Sequence, residues 1–115
     1  MRIGRGPSDG AMKLLRKELV EGCLPSAPEY RYQFSQPWRR QAIGRLRELG
    51  DLDYYADFPR PYFRVRTPGG TQIKGVEGDA CCRVIFARDD PAQREEFDAR
   101  LIRCLNQPLE TARRS

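Results

Sequence analysis

Apolar and polar positions along the chain set out a sequence of elements. Met12, Leu15 and Leu19 fall at helical spacing, with Leu14 and Val20 beside them. That pattern predicts a short helix over 12–21, with Asp9 as a candidate cap and Gly22 as its stop. Residues 23–28 (CLPSAP) read as a loop punctuated by Pro25 and Pro28. Tyr30, Tyr32 and Phe34 then alternate with Arg31 and Gln33, which predicts a strand over 29–34. Ser35 as N-cap and Pro37 in the first turn predict a helix over 36–49. Trp38, Ala42, Leu46 and Leu49 share its apolar face with Ile43 alongside, and Gly50 ends it. Residues 51–60 (DLDYYADFPR) read as a turn or a short irregular strand.

A three-stranded meander follows. Over 61–67, Phe63 and Val65 alternate with Tyr62, Arg64 and Arg66. Pro68-Gly69-Gly70 predicts a type II turn into a strand over 71–76, and Glu77-Gly78-Asp79 turns again. Residues 80–87 (ACCRVIFA) form the most apolar strand and are placed at the centre. Asp90-Pro91-Ala92-Gln93 has the form of a capping box opening a helix over 91–106 that buries Phe97, Leu101, Cys104 and Leu105. The fold class is α+β: an antiparallel sheet of three to four strands, the meander 61–87 plus strand 29–34, packed against two or three helices. One domain is expected over 12–107, with flexible segments at 1–11 and 108–115 and Met12 as a possible start.

Composition narrows the function classes. At 115 residues and 39% hydrophobic, with one Trp, five Tyr and five Phe, the chain suits a single folded domain. Its longest purely apolar run is Val84-Ile85-Phe86-Ala87, far short of the roughly 20 residues of a membrane span, and residues 1–10 lack a signal-peptide core. A cytoplasmic protein with no membrane partner is expected, its four cysteines reduced. Histidine is absent, which removes the commonest general base and metal ligand. Cys23, Cys81, Cys82 and Cys104 lack the paired spacing of a metal site. No metal, cofactor or small-molecule ligand is therefore inferred. Cys82 and Cys104 are expected in the core.

Charge is where the sequence speaks most clearly. The net charge is +5, and only Lys13, Lys17 and Lys74 of 21 basic residues are lysines. A GC-rich genome enriches arginine too, but here the charge is also segregated. Tyr30 to Arg47 holds five arginines and no acid, and Arg60 to Val76 holds three arginines, one lysine and no acid. Acids gather at 48–57, 77–79 and 89–98. Tyr30, Tyr32, Phe34, Trp38, Tyr62 and Phe63 interleave with the basic stretches. Guanidinium groups pair with phosphate and rings stack on bases, so the pattern suits RNA; the same rings also suit a hydrophobic core beneath a solvated arginine face. The candidate contact residues are Arg31, Tyr62, Arg64, Arg66, Lys74 and Arg83. The hairpin Thr67–Gly75 matches no phosphate-loop spacing. Asp51, Asp53 and Asp57 read as surface acids.

The order strand, helix, three strands, helix resembles RelE-type bacterial toxins, small ribosome-dependent mRNA endonucleases. The local text carries the likeness: YRYQFS leading into RLRELG, then GD before RVIFARDD, over about residues 29–90. That resemblance implies metal-free chemistry, with Arg64, Arg66, Lys74 and Arg83 stabilising phosphate charge. Whether the protein is catalytic stays open. The leading expectation is a small basic module binding RNA or a ribonucleoprotein. The alternatives are a non-catalytic accessory protein docking an acidic protein partner through the same patch, and a thiol or iron–sulfur carrier.

Overall fold

The computed structural model describes residues 12–22 and 27–106. The expectations for 1–11, Cys23, Pro25 and the 108–115 tail lie outside them. The elements are β1 (Leu14–Leu19), β2 (Glu29–Phe34), α1 (Arg40–Arg45) running into a 3₁₀ turn (Leu46–Glu48), β3 (Asp51–Tyr55), β4 (Tyr62–Arg66), β5 (Gln72–Val76), β6 (Cys81–Ile85) and α2 (Pro91–Leu105). All six strands join one antiparallel sheet in the order β1-β2-β6-β5-β4-β3. The α+β class holds, but the sheet has six strands where three to four were expected, because the segment expected as a helix, 12–21, and the ambiguous segment 51–60 became its edges.

The first edge overturns the helix expected over 12–21. Residues 14–19 pair with β2, Leu19 opposite Tyr30 and Leu14 opposite Phe34, with a bulge between Leu14 and Arg16. Leu15 and Leu19, two residues of the expected helix face, are 60% and 57% exposed. A ten-residue helix gains little on its own, whereas a strand here satisfies the free backbone groups along β2. Met12 is the buried anchor of this segment. Its backbone N–H donates to Asn106 Oδ1 at 3.1 Å, tying it to the end of α2.

The helix expected over 36–49 is shorter and starts later. The backbone before it is extended, since Trp38 N–H donates to Asp79 O and Gly78 N–H donates to Trp38 O, both at 2.8 Å. The turn between β5 and β6 thus claims the hydrogen bonds that a first helical turn would need. Ser35 is not the cap: its Oγ accepts from Lys13 N–H, and Arg39 holds the N-cap position with no side-chain bond. The apolar face still delivers Trp38, Ile43, Leu46 and Leu49 to the core.

Turn chemistry divides in the same way. Gly70, not Gly69, takes the positive φ of 92°. Gly70 N–H donates to Thr67 O and Thr67 N–H to Thr71 O, making a three-residue hairpin loop rather than a type II turn. Gly78, at φ 98°, does fit a type II turn closed by Asp79 N–H to Val76 O. At α2 the Asp90 side chain accepts from Ala92 and Gln93 N–H, as expected. Gln93 Oε1 does not return the bond and is buried without a partner.

Alternation assigns the sheet an inner and an outer face. Inward go Tyr32 and Phe34, Phe63 and Val65, Ile73, Cys82 and Val84, all buried beneath α1 and α2. Trp38 joins Phe34 and Phe63 edge to face, with ring centroids 5.3 Å and 5.0 Å away. Phe97 of α2 meets Phe86 at 5.5 Å and Tyr32 at 6.5 Å. Among the described residues no helix is long and apolar enough to cross a membrane.

Candidate nucleic-acid interface

The outer face is carried by the alternate residues of each strand, and among the described residues no helix lies on it. Register places its side chains. Glu18, Arg31, Arg83, Lys74, Arg64 and Asp53 face one another in a single row crossing all six strands. Four cations therefore stand side by side on β2, β6, β5 and β4, within about 15 Å at the usual strand spacing. A neighbouring row holds Glu29, Ile85, Gln72, Arg66 and Asp51. Arg31, Arg64, Arg66, Lys74 and Arg83, drawn from four separate strands, are thus gathered on one surface, and Tyr62 with them.

Carboxylates occupy part of that charge. Asp53 accepts from Arg64 at 3.2 Å and lies 3.6 Å from Arg66. Glu29 pairs with Arg83 at 2.7 Å. Asp53 is thereby a half-buried counter-ion rather than a plain surface acid. Arg31 and Lys74 are exposed and form no ion pair among the described residues. Like charges directly opposite in a sheet repel, so this row costs stability that the local acids only partly offset.

Beside Lys74 and Arg64 the face dips into a groove of about 430 Å³, lined chiefly by Tyr55, Arg60, Tyr62, Arg64, Lys74 and Val76. Its volume is that of a small-ligand site. Tyr55 and Tyr62, opposite each other on β3 and β4, stack at 4.5 Å and 24°. Phe58, 52% exposed, stands edge-on to Tyr62 at 5.2 Å. Arg60 is held at the rim by Asp79, 3.0 Å away. Arg64, which also lines the groove, has its Nε buried without a hydrogen-bond partner.

Of the aromatics that interleave with arginine in the sequence, Tyr32, Phe34, Trp38 and Phe63 are buried core and Tyr30 packs against it. Tyr62 alone of that set is on the outer face. Tyr55, which lines the groove with it, and Phe58, packed edge-on against both rings, come from the ambiguous 51–60 segment, as does Arg60. The available signal was the alternation of Leu52 and Tyr54 against Asp51, Asp53 and Tyr55, which is strand-like.

The cysteines offer different chemistry. Burial pushes the Cys82 thiol well above its ordinary range, and burial raises Cys104 to about 11. Cys104 Sγ donates to Arg45 O at 2.8 Å. Both are inert packing groups at neutral pH. Cys81 lies on the outer face opposite Gln33. No group of three or more Cys, Asp or Glu among the described residues is placed to hold a metal ion.

One polar cluster sits on the inner side. Asp98 of α2, 8% exposed, accepts from the Tyr32 hydroxyl at 2.5 Å and from Lys17 Nζ at 2.6 Å. Burial first, then the Asp98 contact, drives the Tyr32 hydroxyl far above the ordinary tyrosine range, so it stays protonated as donor. The cluster fastens β1 and β2 to α2. The chain matches no protein-family model, no curated protein and no solved structure.

Proposed function

We propose that the protein binds single-stranded RNA on the outer face of its sheet. The observation that supports this reading most is the four-cation row, two members of which have no ion-pair partner among the described residues, running into a groove lined by the stacked rings of Tyr55 and Tyr62. A single strand needs those two elements in that arrangement: cations that follow phosphates, and π faces at their side for bases. Arg31, Arg83, Lys74 and Arg64 take the phosphates, while Tyr55, Tyr62 and Phe58 receive a base. A helix-free sheet surface suits unstacked bases, which lie flat against it.

The reading is tested by fluorescence anisotropy with labelled single-stranded RNA decamers over a range of salt. Arg31 and Lys74 are the residues to change, because Arg64, Arg66 and Arg83 already share carboxylates. Arg31→Ala with Lys74→Ala is expected to weaken binding about tenfold or more and to lower the log–log salt slope by about 1.4, at about 0.7 per phosphate contact. Tyr62→Ala is expected to lose about tenfold through stacking. No measurable binding in low salt, or an unaltered slope in the folded double variant, would overturn it. Stoichiometric capture of an acidic protein with no RNA affinity would favour the accessory-protein alternative. Shortening of the labelled RNA would extend the reading toward the nuclease activity that the RelE-type resemblance implies.

A further inference from the structure

We propose that the groove is a mononucleotide site: it takes one nucleotide carrying a terminal phosphate, presented free or as the end of an RNA strand. The inference deepens the RNA reading and rests on it for the class of ligand; what it adds is that the strand is held by its end. Register lays out the floor. Tyr55, Tyr62 and Val76 face one another across β3, β4 and β5, and Asp53, Arg64 and Lys74 form the next outer row. The two rows lie two residues apart along the strands, about 7 Å. A base on the Tyr55–Tyr62 stack therefore has Arg64 and Lys74 where its own phosphate lies, with the ribose between.

The donors favour a terminal phosphate. Lys74 is exposed and has no ion pair among the described residues. Arg64 gives Nη2 to Asp53 at 3.2 Å, but its Nε is buried with no acceptor. An ammonium and a guanidinium only donate, so what both lack is an acceptor. A third cation, Arg60, lines the same groove. The nearby acids do not cancel this charge: Asp53 is shared by Arg64 and Arg66, Asp79 pairs with Arg60, and Glu77 accepts from the Tyr54 hydroxyl. A phosphomonoester carries about −1.5 to −2 near neutral pH and offers three terminal oxygens, whereas each phosphodiester within a strand carries a single charge. The far side of the groove also favours an end. Phe58 packs edge-on against Tyr55 and Tyr62, at 6.4 Å and 5.2 Å, and Arg60 reaches Asp79 of the β5–β6 turn at 3.0 Å. The β3–β4 connection that carries both residues thus borders the groove where the strands end. A chain entering from the cation row meets that border and stops. The volume of about 430 Å³ has room for one nucleotide.

Calorimetric titration of the full chain with adenosine 5′-monophosphate and with adenosine tests the site. The nucleotide is expected to bind at least about tenfold more tightly than the nucleoside. Anisotropy with RNA decamers phosphorylated at the 5′ end, at the 3′ end or at neither separates the sources: a strand held by its end gains about tenfold or more from one terminal phosphate. Lys74→Ala and Tyr62→Ala are each expected to lose about tenfold for the nucleotide, one through the phosphate and the other through the ring. Circular dichroism checks their folds, and Tyr62→Leu, which keeps bulk without the ring, replaces a Tyr62→Ala that does not fold. No nucleotide binding, with decamers that bind alike whatever their ends, overturns the inference and leaves the RNA reading standing. Nucleotide binding with no decamer affinity in low salt supports the site, with the free nucleotide as its source, and overturns the RNA reading instead. Inorganic phosphate or phosphotyrosine binding as tightly as the nucleotide overturns the inference, since no base is then recognised. So does a nucleotide affinity indifferent to both Lys74→Ala and the Tyr62 variant.

Discussion

Gly50 shows how one residue fixes the route of the chain. It lies between the 3₁₀ turn and β3, where the backbone passes against the end of β4. A Cβ at this position would lie 2.2 Å from Arg66 O and 2.8 Å from Thr67 Cα, both backbone atoms with no freedom to yield. Gly50→Ala is therefore expected to destabilise by about 3 kcal/mol, the upper range of an overpacked site, read from the urea midpoint. Gly44→Ala is the control. Gly44 lies within α1 with nothing within 4 Å of its missing Cβ, so alanine there is expected to be neutral or stabilising by up to about 1 kcal/mol. The sequence pattern placed Gly50 correctly at a helix end, but for a conformational reason. The actual demand, room for another strand, depends on Arg66 and Thr67, sixteen and seventeen positions away, and leaves no local trace. Trp38 is similar: its burial was legible from its size and spacing, while its extended backbone is imposed by the Gly78–Asp79 turn.

At the scale of elements, β1 depends on what it is fastened to. Its residues are strong helix formers, and their apolar spacing suits a helix; the strand exists because β2 offers a ladder and α2 offers Asp98. Local propensity carries no information about either partner. β4, β5, β6 and α2 were legible because their own alternation, turn positions and cap agree with their final state, although the turn type between β4 and β5 does not. The anchoring account makes a prediction. Asp98→Ala leaves the Tyr32 hydroxyl buried without an acceptor and Lys17 without its carboxylate, and is expected to cost about 2–3 kcal/mol. Hydrogen exchange is expected to show β1 amides losing protection more than those of β4 and β5. Asp98→Asn keeps an acceptor for Tyr32 and is expected to lose less. Equal loss of protection across all strands would mean that Asp98 supports the core generally and does not fasten β1.

For the whole molecule the outer face sets function against stability. Alternation along each strand made Tyr62, Arg64, Arg66, Lys74 and Arg83 legible as one side of a sheet. Their alignment with Arg31 was not, because register between strands is a tertiary property, and nor were the counter-ions Asp53 and Glu29. The register places Lys74 between Arg83 and Arg64, with no acid of its own. Cross-strand neighbours lie about 5 Å apart, well inside the roughly 10 Å Debye length of 0.1 M salt, so their repulsion is felt. Lys74→Glu turns two repulsive neighbours into two attractive ones. It is expected to raise stability by about 0.5–1 kcal/mol in low salt, read from the urea midpoint, and the gain is expected to fade toward zero near 1 M salt, where screening acts within about 3 Å. The same variant is expected to lose RNA affinity by more than about tenfold in low salt, since it places a carboxylate in the phosphate track. A row of arginines that merely solvates the surface predicts the first effect without the second. Opposite signs in one variant, stability up and RNA affinity down, distinguish a surface kept charged for a polyanion from one that is charged by composition alone.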